Sequence, residues 1–246
     1  MTRMFKLMLC IAIVGALAAT HAEARRGGPS VAYDEAEIFL EENSTDGDLG
    51  LHFKVDGEGW RRLVITGPKR RRLVDVRVGG SLGHVIGLTE IFSESAEPGF
   101  DELPREDFLS LFPPGKYRFY GRTVDGLRMR GRTRLTHVLP APAVLSEPEE
   151  DDEVDADEDL EIEWQTVADP NPPRNMVEFY EVVVEKDEDD ERLRVFSVHM
   201  LPTDTNVICP AEFLEPGKDY KVEVIVQETS GNRTSIEVPF STADDE

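Results

Sequence analysis

The sequence predicts an all-β protein made of two β-sandwich domains in tandem, and three observations carry this prediction. Short runs rich in β-branched and aromatic residues follow one another along most of the 246 residues, separated by turns with glycine, proline or aspartate. A Pro-Gly turn with a tyrosine soon after it occurs twice, with its glycines at Gly115 and Gly217. Residues 25–145 carry 18 basic and 18 acidic residues, whereas residues 146–246 carry 7 basic and 31 acidic. This pattern favours a sandwich over a βαβ fold, and the charge difference divides the chain in two.

Residues 1–24 have the order of a secretory signal peptide. Arg3 and Lys6 form a positive start, residues 7–19 are an apolar run of 13 residues, and the small residues at 22–24 suit cleavage. A membrane anchor, the alternative interpretation, needs roughly 20 apolar residues. We therefore expect cleavage near Arg25 and export to the periplasm or the medium, with no membrane span left after cleavage.

Seven strand-like runs make up the first predicted domain, residues 31–139. Turns separate them, including one at residues 56–59. A helix is predicted over residues 104–112, where Pro104 suits the first turn. The strand-like runs are residues 37–40, 49–55, 60–66, 73–78, 88–92, 116–124 and 127–136.

The second half repeats this pattern of strands and turns. Leu160, Ile162 and Trp164 alternate with glutamates, as in a half-buried strand. Cys209 is the one cysteine beyond the predicted signal peptide, and its place at the end of an apolar run predicts a buried thiol. The strand-like runs are residues 160–164, 179–184, 193–198, 206–209, 220–226 and 234–240.

Four spaced motifs in the second half resemble those of the fibronectin type III domain of exported bacterial proteins. They are Leu160-x-Ile162-x-Trp164, Tyr180-x-Val182, Leu214-x-Pro216-Gly217-x-x-Tyr220 and Ser230-Gly231-Asn232. The resemblance covers residues 140–243 and implies a sandwich of seven strands. It further implies structural roles for Trp164, Tyr180, Pro216 and Gly217, and for Tyr220 as the corner residue that bonds back to the backbone.

The same resemblance makes residues 143–145 the first strand of this domain. The repeated Pro-Gly turn extends the interpretation to residues 31–139 as a divergent immunoglobulin-like sandwich, so that two immunoglobulin-like or fibronectin type III-like sandwiches follow a cleaved signal peptide. Two unrelated β domains that share a Pro-Gly turn are the alternative.

Arginine is concentrated in the first half. Residues 69–72 are all basic, and Arg128, Arg130, Arg132 and Arg134 alternate, so on a strand they share one face. A solvated sheet face is one interpretation. A docking surface for an anionic glycan, a lipid headgroup or the acidic half of the chain is the other. The strongly acidic second half excludes nucleic acid as its partner.

Residues 79–83 match the G-x-S-x-G pattern of serine hydrolases, centred on Ser81. Asp125 and His137 follow in the order of a catalytic triad. That pattern needs a helix after the serine, whereas residues 84–89 indicate loop or strand. The sequence therefore favours a glycine-rich loop, and we expect neither catalysis nor a cofactor.

Oxygen-bearing side chains near two predicted turns are candidate calcium ligands. They are Asn43, Asp46, Asp48, Asp56 and Glu58, which two turns at one end of a sandwich would bring together. The spacing does not match an EF-hand, and ordinary turn chemistry explains the same residues.

Residues 147–159 hold ten acidic residues out of thirteen. Carboxylates at this density cannot enter a core, so we expect a solvated, mobile loop. Binding of divalent cations, shared with residues 187–191 if the two loops are neighbours, is the alternative.

The function that the sequence favours is an exported, non-enzymatic binding or adhesion module. Its partner is expected to be another protein or a glycan at the cell envelope, engaged through the loops of the sandwiches. A structural spacer is the first alternative, and an esterase-like hydrolase that uses Ser81 is the remote one.

Overall fold

The computed structural model describes residues 29–188 and 191–244, and the predicted signal peptide lies outside them. No helix within these two ranges is long and apolar enough to cross a membrane. Within these ranges the chain is mostly β-strand, with one α-helix, α1 (Arg105–Leu111), as expected, and short helical turns at Pro68–Arg70, Leu82–Ile86 and Ala211–Phe213. The strands are β1 (Ser30–Ala32), β2 (Glu35–Asn43), β3 (Asp48–Thr66), β4 (Arg72–Arg77), β5 (Leu88–Glu94), β6 (Gly115–Thr123), β7 (Arg128–Leu135), β8 (Leu145–Glu147), β9 (Asp152–Val154), β10 (Leu160–Trp164), β11 (Val177–Glu188), β12 (Glu191–Met200), β13 (Asn206–Cys209), β14 (Asp219–Glu228) and β15 (Arg233–Thr242).

Two separate hydrophobic cores divide the fold into a first unit, β1 to β7, and a second unit, β8 to β15. In the second unit, one sheet has the order β13-β10-β8 and the other includes β15-β14-β11-β12. Trp164 and Tyr180 pack between the two sheets. These seven strands confirm the predicted β-sandwich. The domain limits at residues 139 and 140 stay a prediction.

The acidic run is not a free loop, which corrects the expectation of a mobile segment. Its strand β9 pairs in parallel with β15, with Asp152 opposite Phe240 and Val154 opposite Thr242. Val154 packs against the second core and Ala156 is buried, so two apolar side chains anchor the run while Asp155 between them is exposed. These few alternating apolar residues indicate a strand, but the high density of charged residues around them led the sequence analysis to expect a loop.

The long strand β3 organises the first unit, and it replaces the turn predicted at residues 56–59. Its first part pairs with β2 and β5, and its second part pairs with β4 and β6, so one strand pairs with four others in the same sheet. Register shifts after Asp56 and Trp60 mark the bend. Glycine at position 59 allows this bend because a methyl group there would lie 2.7 Å from the Ile86 carbonyl oxygen. Glycine at position 59 therefore allows two backbone segments to come into close contact, and it does not form a hairpin turn.

The two units share one continuous sheet. Residues Arg233–Ser235 of β15 pair in parallel with Glu41–Asn43 of β2. Asn232, which is 1% exposed, accepts a hydrogen bond from the Leu40 N–H (2.9 Å) and donates to the Val138 carbonyl (2.8 Å) and the Thr136 hydroxyl (2.9 Å). We call this contact region the junction. It joins the units through backbone pairing as well as through the connecting chain.

Candidate functional site

The outer surface of strands β4, β3, β6 and β7 is strongly basic, and we call it the arginine face. Along β7, Arg128, Arg130, Arg132 and Arg134 are exposed while Met129 and Leu135 are buried, as the alternation in the sequence predicts. The neighbouring strands add further basic side chains to the same surface. Its ten basic residues are Arg62, Arg72, Arg77, Lys116, Arg118, Arg122, Arg128, Arg130, Arg132 and Arg134.

Strand register lines these arginines up across the sheet. Arg77 lies opposite Arg62, Arg62 opposite Arg122, and Arg122 opposite Arg128. Four adjacent strands thus place an arginine at the same level, and we call this set the arginine row. Like charges directly opposite each other on neighbouring strands are destabilising, so the row opposes folding to the extent that no carboxylate or bound anion neutralises it.

Asp75 is the carboxylate that the register places within this face. It accepts two hydrogen bonds from Arg62, at 3.1 and 3.0 Å, and lies 3.1 Å from an Arg72 nitrogen and 3.9 Å from Arg77. The hydrogen bond from Arg62 is the main reason that the pKa of Asp75 is held below its usual range. Within the ranges that the structure describes, Arg128, Arg130, Arg132 and Arg134 form no ion pair. Most of the positive charge therefore faces solvent.

A groove of about 400 Å³ crosses the arginine face. Tyr120, which is 43% exposed, lies in this groove beside Val64. Arginines of all four strands, β3, β4, β6 and β7, also line the groove. The rest of the lining is Arg62, Arg72, Gly121, Arg122, Arg128, Met129 and Arg130. Guanidinium groups bind carboxylate, sulfate and phosphate in bidentate fashion, so this surface is chemically suited to a ligand with many negative charges.

The residues for which the sequence predicted structural roles in a sandwich all belong to the second unit. Trp164 is 3% exposed and Tyr180 is 0% exposed, with ring centroids 5.4 Å apart in an edge-to-face arrangement. The Tyr220 hydroxyl accepts a hydrogen bond from the Glu215 N–H at 2.7 Å, across the turn formed by Pro216 and Gly217. Gly217 has a φ of +63°, which favours glycine.

A hydroxyl bonded to the backbone just upstream of its own strand is the tyrosine corner of such sandwiches. Together with the strand order, it gives the second unit a fibronectin type III-like fold. In the first unit, the Tyr117 hydroxyl donates to the Pro113 carbonyl (3.1 Å), which is the structural counterpart of the repeated Pro-Gly pattern.

Comparison with known proteins gives matches among solved structures and none to a protein family or a curated protein. No protein-family model matches the chain, and no curated protein matches it. It is similar to the fibronectin(III)-like modules of Clostridium thermocellum CbhA, at 10% identity and a TM-score of 0.33, over 86% of this chain and 94% of that one. It is also similar to the FN1-FN3 domains of chicken CNTN1, at 12% identity and a TM-score of 0.34, over 87% and 66% of the two chains. A BSP domain of a biofilm associated protein matches at 8% identity and a TM-score of 0.26, over 86% and 30%.

The serine pattern does not form a catalytic triad. Ser81 is exposed and precedes the helical turn Leu82–Ile86, so the loop or strand expected over residues 84–89 is wrong for residues 84–86, whereas strand β5 does begin at Leu88. Asp125 lies before the start of β7, and His137 lies after its end. The eight-residue strand between them spans about 24 Å. His137 instead has its Nε2 at 2.8 Å from the Phe112 carbonyl. The acid and the histidine therefore cannot act on one serine.

The calcium candidates are also separated. Asp46 lies in the tight turn before β3, and Asp48 begins that strand. Asp56 follows eight residues later on the same strand, about 27 Å away, and Glu58 lies further on. The Asn43 side chain accepts hydrogen bonds from the Thr45 and Asp46 N–H groups, which is ordinary turn chemistry. Within residues 29–188 and 191–244, no cluster of three or more acidic, histidine or cysteine side chains is placed to hold a metal ion.

Cys209 is fully buried, as predicted, and burial raises the pKa of its thiol to about 11. Cys209 is therefore in its neutral form at physiological pH and is shielded from reagents in solution.

The acidic run lines two open grooves of the second unit. One groove, of about 400 Å³, brings Asp151 beside Asp187 and Asp219, so parts of the two acidic loops are neighbours. The other, of about 390 Å³, holds seven carboxylates from the run and from β10. Residues 189–190 of the proposed shared cation site lie outside the described ranges.

Salt is expected to stabilise this acidic unit while calcium adds nothing specific. Raising sodium chloride from about 0.01 M to about 0.15 M shortens the Debye length from roughly 30 Å to roughly 8 Å, so repulsion weakens and the melting temperature rises. Millimolar calcium at the same ionic strength should give no further shift, as measured by scanning calorimetry. A calcium-specific rise of several degrees would instead show that one of these grooves binds the ion.

Proposed function

We propose that this protein is a non-enzymatic binding module that engages an anionic partner at the cell envelope through the arginine face. The arginine row carries this proposal. Four adjacent strands present guanidinium groups at one level with Asp75 as their neighbouring carboxylate. Asp75 neutralises Arg62 and lies near Arg77, but among the described residues Arg122 and Arg128 form no ion pair, so the structure leaves half of the row without an anionic partner.

The charge distribution of the chain supports the same conclusion. The arginine face lies on the unit whose total charge is balanced, so its positive side chains are concentrated on one surface. Such a surface attracts anions over a Debye length and orients them before contact. The recognition surface is then a sheet face, whereas the sequence pointed to loops. The fibronectin type III-like unit supplies the rest of the scaffold.

A binding assay on immobilised dextran sulfate tests the proposal. We expect the protein to bind at low salt and to be released as salt increases. The double variant Arg130→Glu and Arg132→Glu should bind about 30-fold more weakly, since each reversal replaces one attraction of about 0.5 kcal/mol with a repulsion of similar size.

A matched control separates the face from total charge. Arg174→Glu with Lys218→Glu makes the same change of charge at two exposed positions of the second unit. This control should bind as the unmodified protein does. Equal loss in both variants would show that only net charge matters, and it would contradict a site on the arginine face.

A structural spacer is the second candidate, favoured by the junction. Because β2 and β15 pair within one sheet, the two units are joined by backbone hydrogen bonds as well as by the connecting chain, as a spacer of fixed length requires. A spacer needs no ligand, so no binding of the unmodified protein to dextran sulfate would favour it. Full retention of binding in the Arg130→Glu and Arg132→Glu variant would instead contradict a site on the arginine face.

A further inference from the structure

Four exposed aliphatic side chains lie at one end of the first unit, and we call them the apolar tip. Val85 is 74% exposed and Ile86 is 71% exposed, both on the helical turn between β4 and β5. Leu82 of the same turn and Leu127 of the β6–β7 turn are 41% and 40% exposed. Aliphatic side chains with such large exposed fractions, on two adjacent loops between strands, indicate an interaction site.

The two connections meet at Gly59. The Ile86 carbonyl packs directly against Gly59, and the Val124 N–H donates to the Gly59 carbonyl at 3.0 Å. The Thr123 N–H in turn donates to the Leu127 carbonyl at 3.0 Å, which closes the β6–β7 turn. The backbone therefore fixes the position of both parts of the tip at the same end of the sheet.

The arginine row is the part of the arginine face that lies at this end. Arg77 is the last residue of β4, just before the connection that carries the apolar tip. Arg122 and Arg128 flank the turn that carries Leu127. Apolar side chains at the extremity with a line of guanidinium groups directly behind them are the two features that an anionic bilayer surface binds together.

We propose, building on the function proposed above, that the anionic partner is a lipid bilayer with negatively charged headgroups. The apolar tip enters the boundary between headgroups and acyl chains. The arginine row then lies at the level of the lipid phosphates and forms charge-assisted hydrogen bonds with them. A soluble polyanion would satisfy the arginines and leave the tip exposed to water, whereas a bilayer uses both.

The fold also holds the acidic second unit away from the membrane. The arginine row lies at the start of β7, and the junction begins just beyond its end, where Thr136 contacts Asn232. The length of β7 separates the two by about 24 Å. At physiological salt the Debye length is about 8 Å, so repulsion between the acidic unit and the headgroups is screened.

Vesicle sedimentation tests this inference. Vesicles of phosphatidylcholine with about one third phosphatidylglycerol, and vesicles of phosphatidylcholine alone, are compared at about 0.1 M salt. We expect at least tenfold stronger binding to the anionic vesicles. The variant Val85→Asp with Ile86→Asp should lose at least tenfold of that binding and still bind dextran sulfate. Leu193→Asp with Leu201→Asp, at exposed apolar positions of the second unit, is the matched control and should bind normally.

A fluorescent probe gives an independent readout of insertion. Because Cys209 is fully buried, a polarity-sensitive dye reacts selectively with Val85→Cys or with the control Leu201→Cys. The dye at position 85 should shift to shorter wavelength on anionic vesicles, and the dye at position 201 should not.

The outcomes separate this inference from the proposed function. Binding to dextran sulfate without binding to anionic vesicles overturns the lipid inference and leaves a glycan or protein as the anionic partner. Vesicle binding that the Val85→Asp and Ile86→Asp variant retains also overturns it, since charge alone then suffices. Failure to bind either probe overturns both proposals.

Discussion

Replacing Trp164 with alanine is expected to lower the free energy of unfolding by about 3–5 kcal/mol. The indole is 3% exposed and fills the space between the two sheets of the second unit, against Tyr180. Removing it leaves a cavity that the rigid sheets cannot close. Urea denaturation followed by circular dichroism measures the loss as a shift of the midpoint.

Two further variants show whether packing is the cause. Among the described residues, the Trp164 indole N–H has no hydrogen-bond partner, so Trp164→Phe removes volume without breaking a hydrogen bond. It should cost less than Trp164→Ala does, because the cavity that it leaves is smaller. Phe213→Ala, at an aromatic side chain that is 45% exposed, should cost far less than Trp164→Ala. An unchanged midpoint for Trp164→Ala would be incompatible with a sandwich core at this position.

Replacing Asn232 with alanine is expected to cost about 3–5 kcal/mol through the loss of the junction bonds. The substitution leaves the Leu40 N–H and the Val138 carbonyl without their side-chain partner in a buried place. Each unsatisfied buried group costs about 1–3 kcal/mol. Asn206→Ala, at an exposed position of β13, is the matched control and should stay within about 0.5 kcal/mol of the unmodified protein.

The shape of the unfolding curve provides a second measurement of the same variant. The shared sheet couples the two cores, so the unmodified protein should unfold in one transition. Without the Asn232 bonds, the units should unfold in two steps with separate midpoints. One unchanged transition at the original midpoint would mean that the junction adds no stability.

Sequence patterns predicted the second unit closely because its information is local. Strand β10 occupies the predicted residues 160–164 and β13 the predicted residues 206–209, since alternation and turn residues mark both. The tyrosine corner at Tyr220 depends on a few adjacent residues, so a motif describes it completely. In β7 the side-chain period of two placed four arginines on one face, and the structure has them there.

The same local reasoning failed wherever a distant contact decides the conformation. Glycines at 57 and 59 indicate a turn in isolation, and only the approach of Ile86 makes residue 59 part of a continuous bent strand. The predicted calcium site needed that turn to bring Asp56 and Glu58 close to Asp46 and Asp48. In the continuous strand β3 these two pairs of residues lie far apart. The acidic run acquired a strand because β15, some ninety residues later, offers it an open edge.

The sequence by itself therefore determined most of the strands, the side chains of those strands that face inward, and that one strand is lined with arginine. The tertiary structure decided that Arg77, Arg62 and Arg122 align with Arg128, that the apolar tip lies beside them, and that Asn232 joins the two units. The physical reason is register. Side-chain alternation repeats every two residues within a strand, but it contains no information on how strands far apart in the chain are aligned, and hydrogen bonding between those strands sets that alignment.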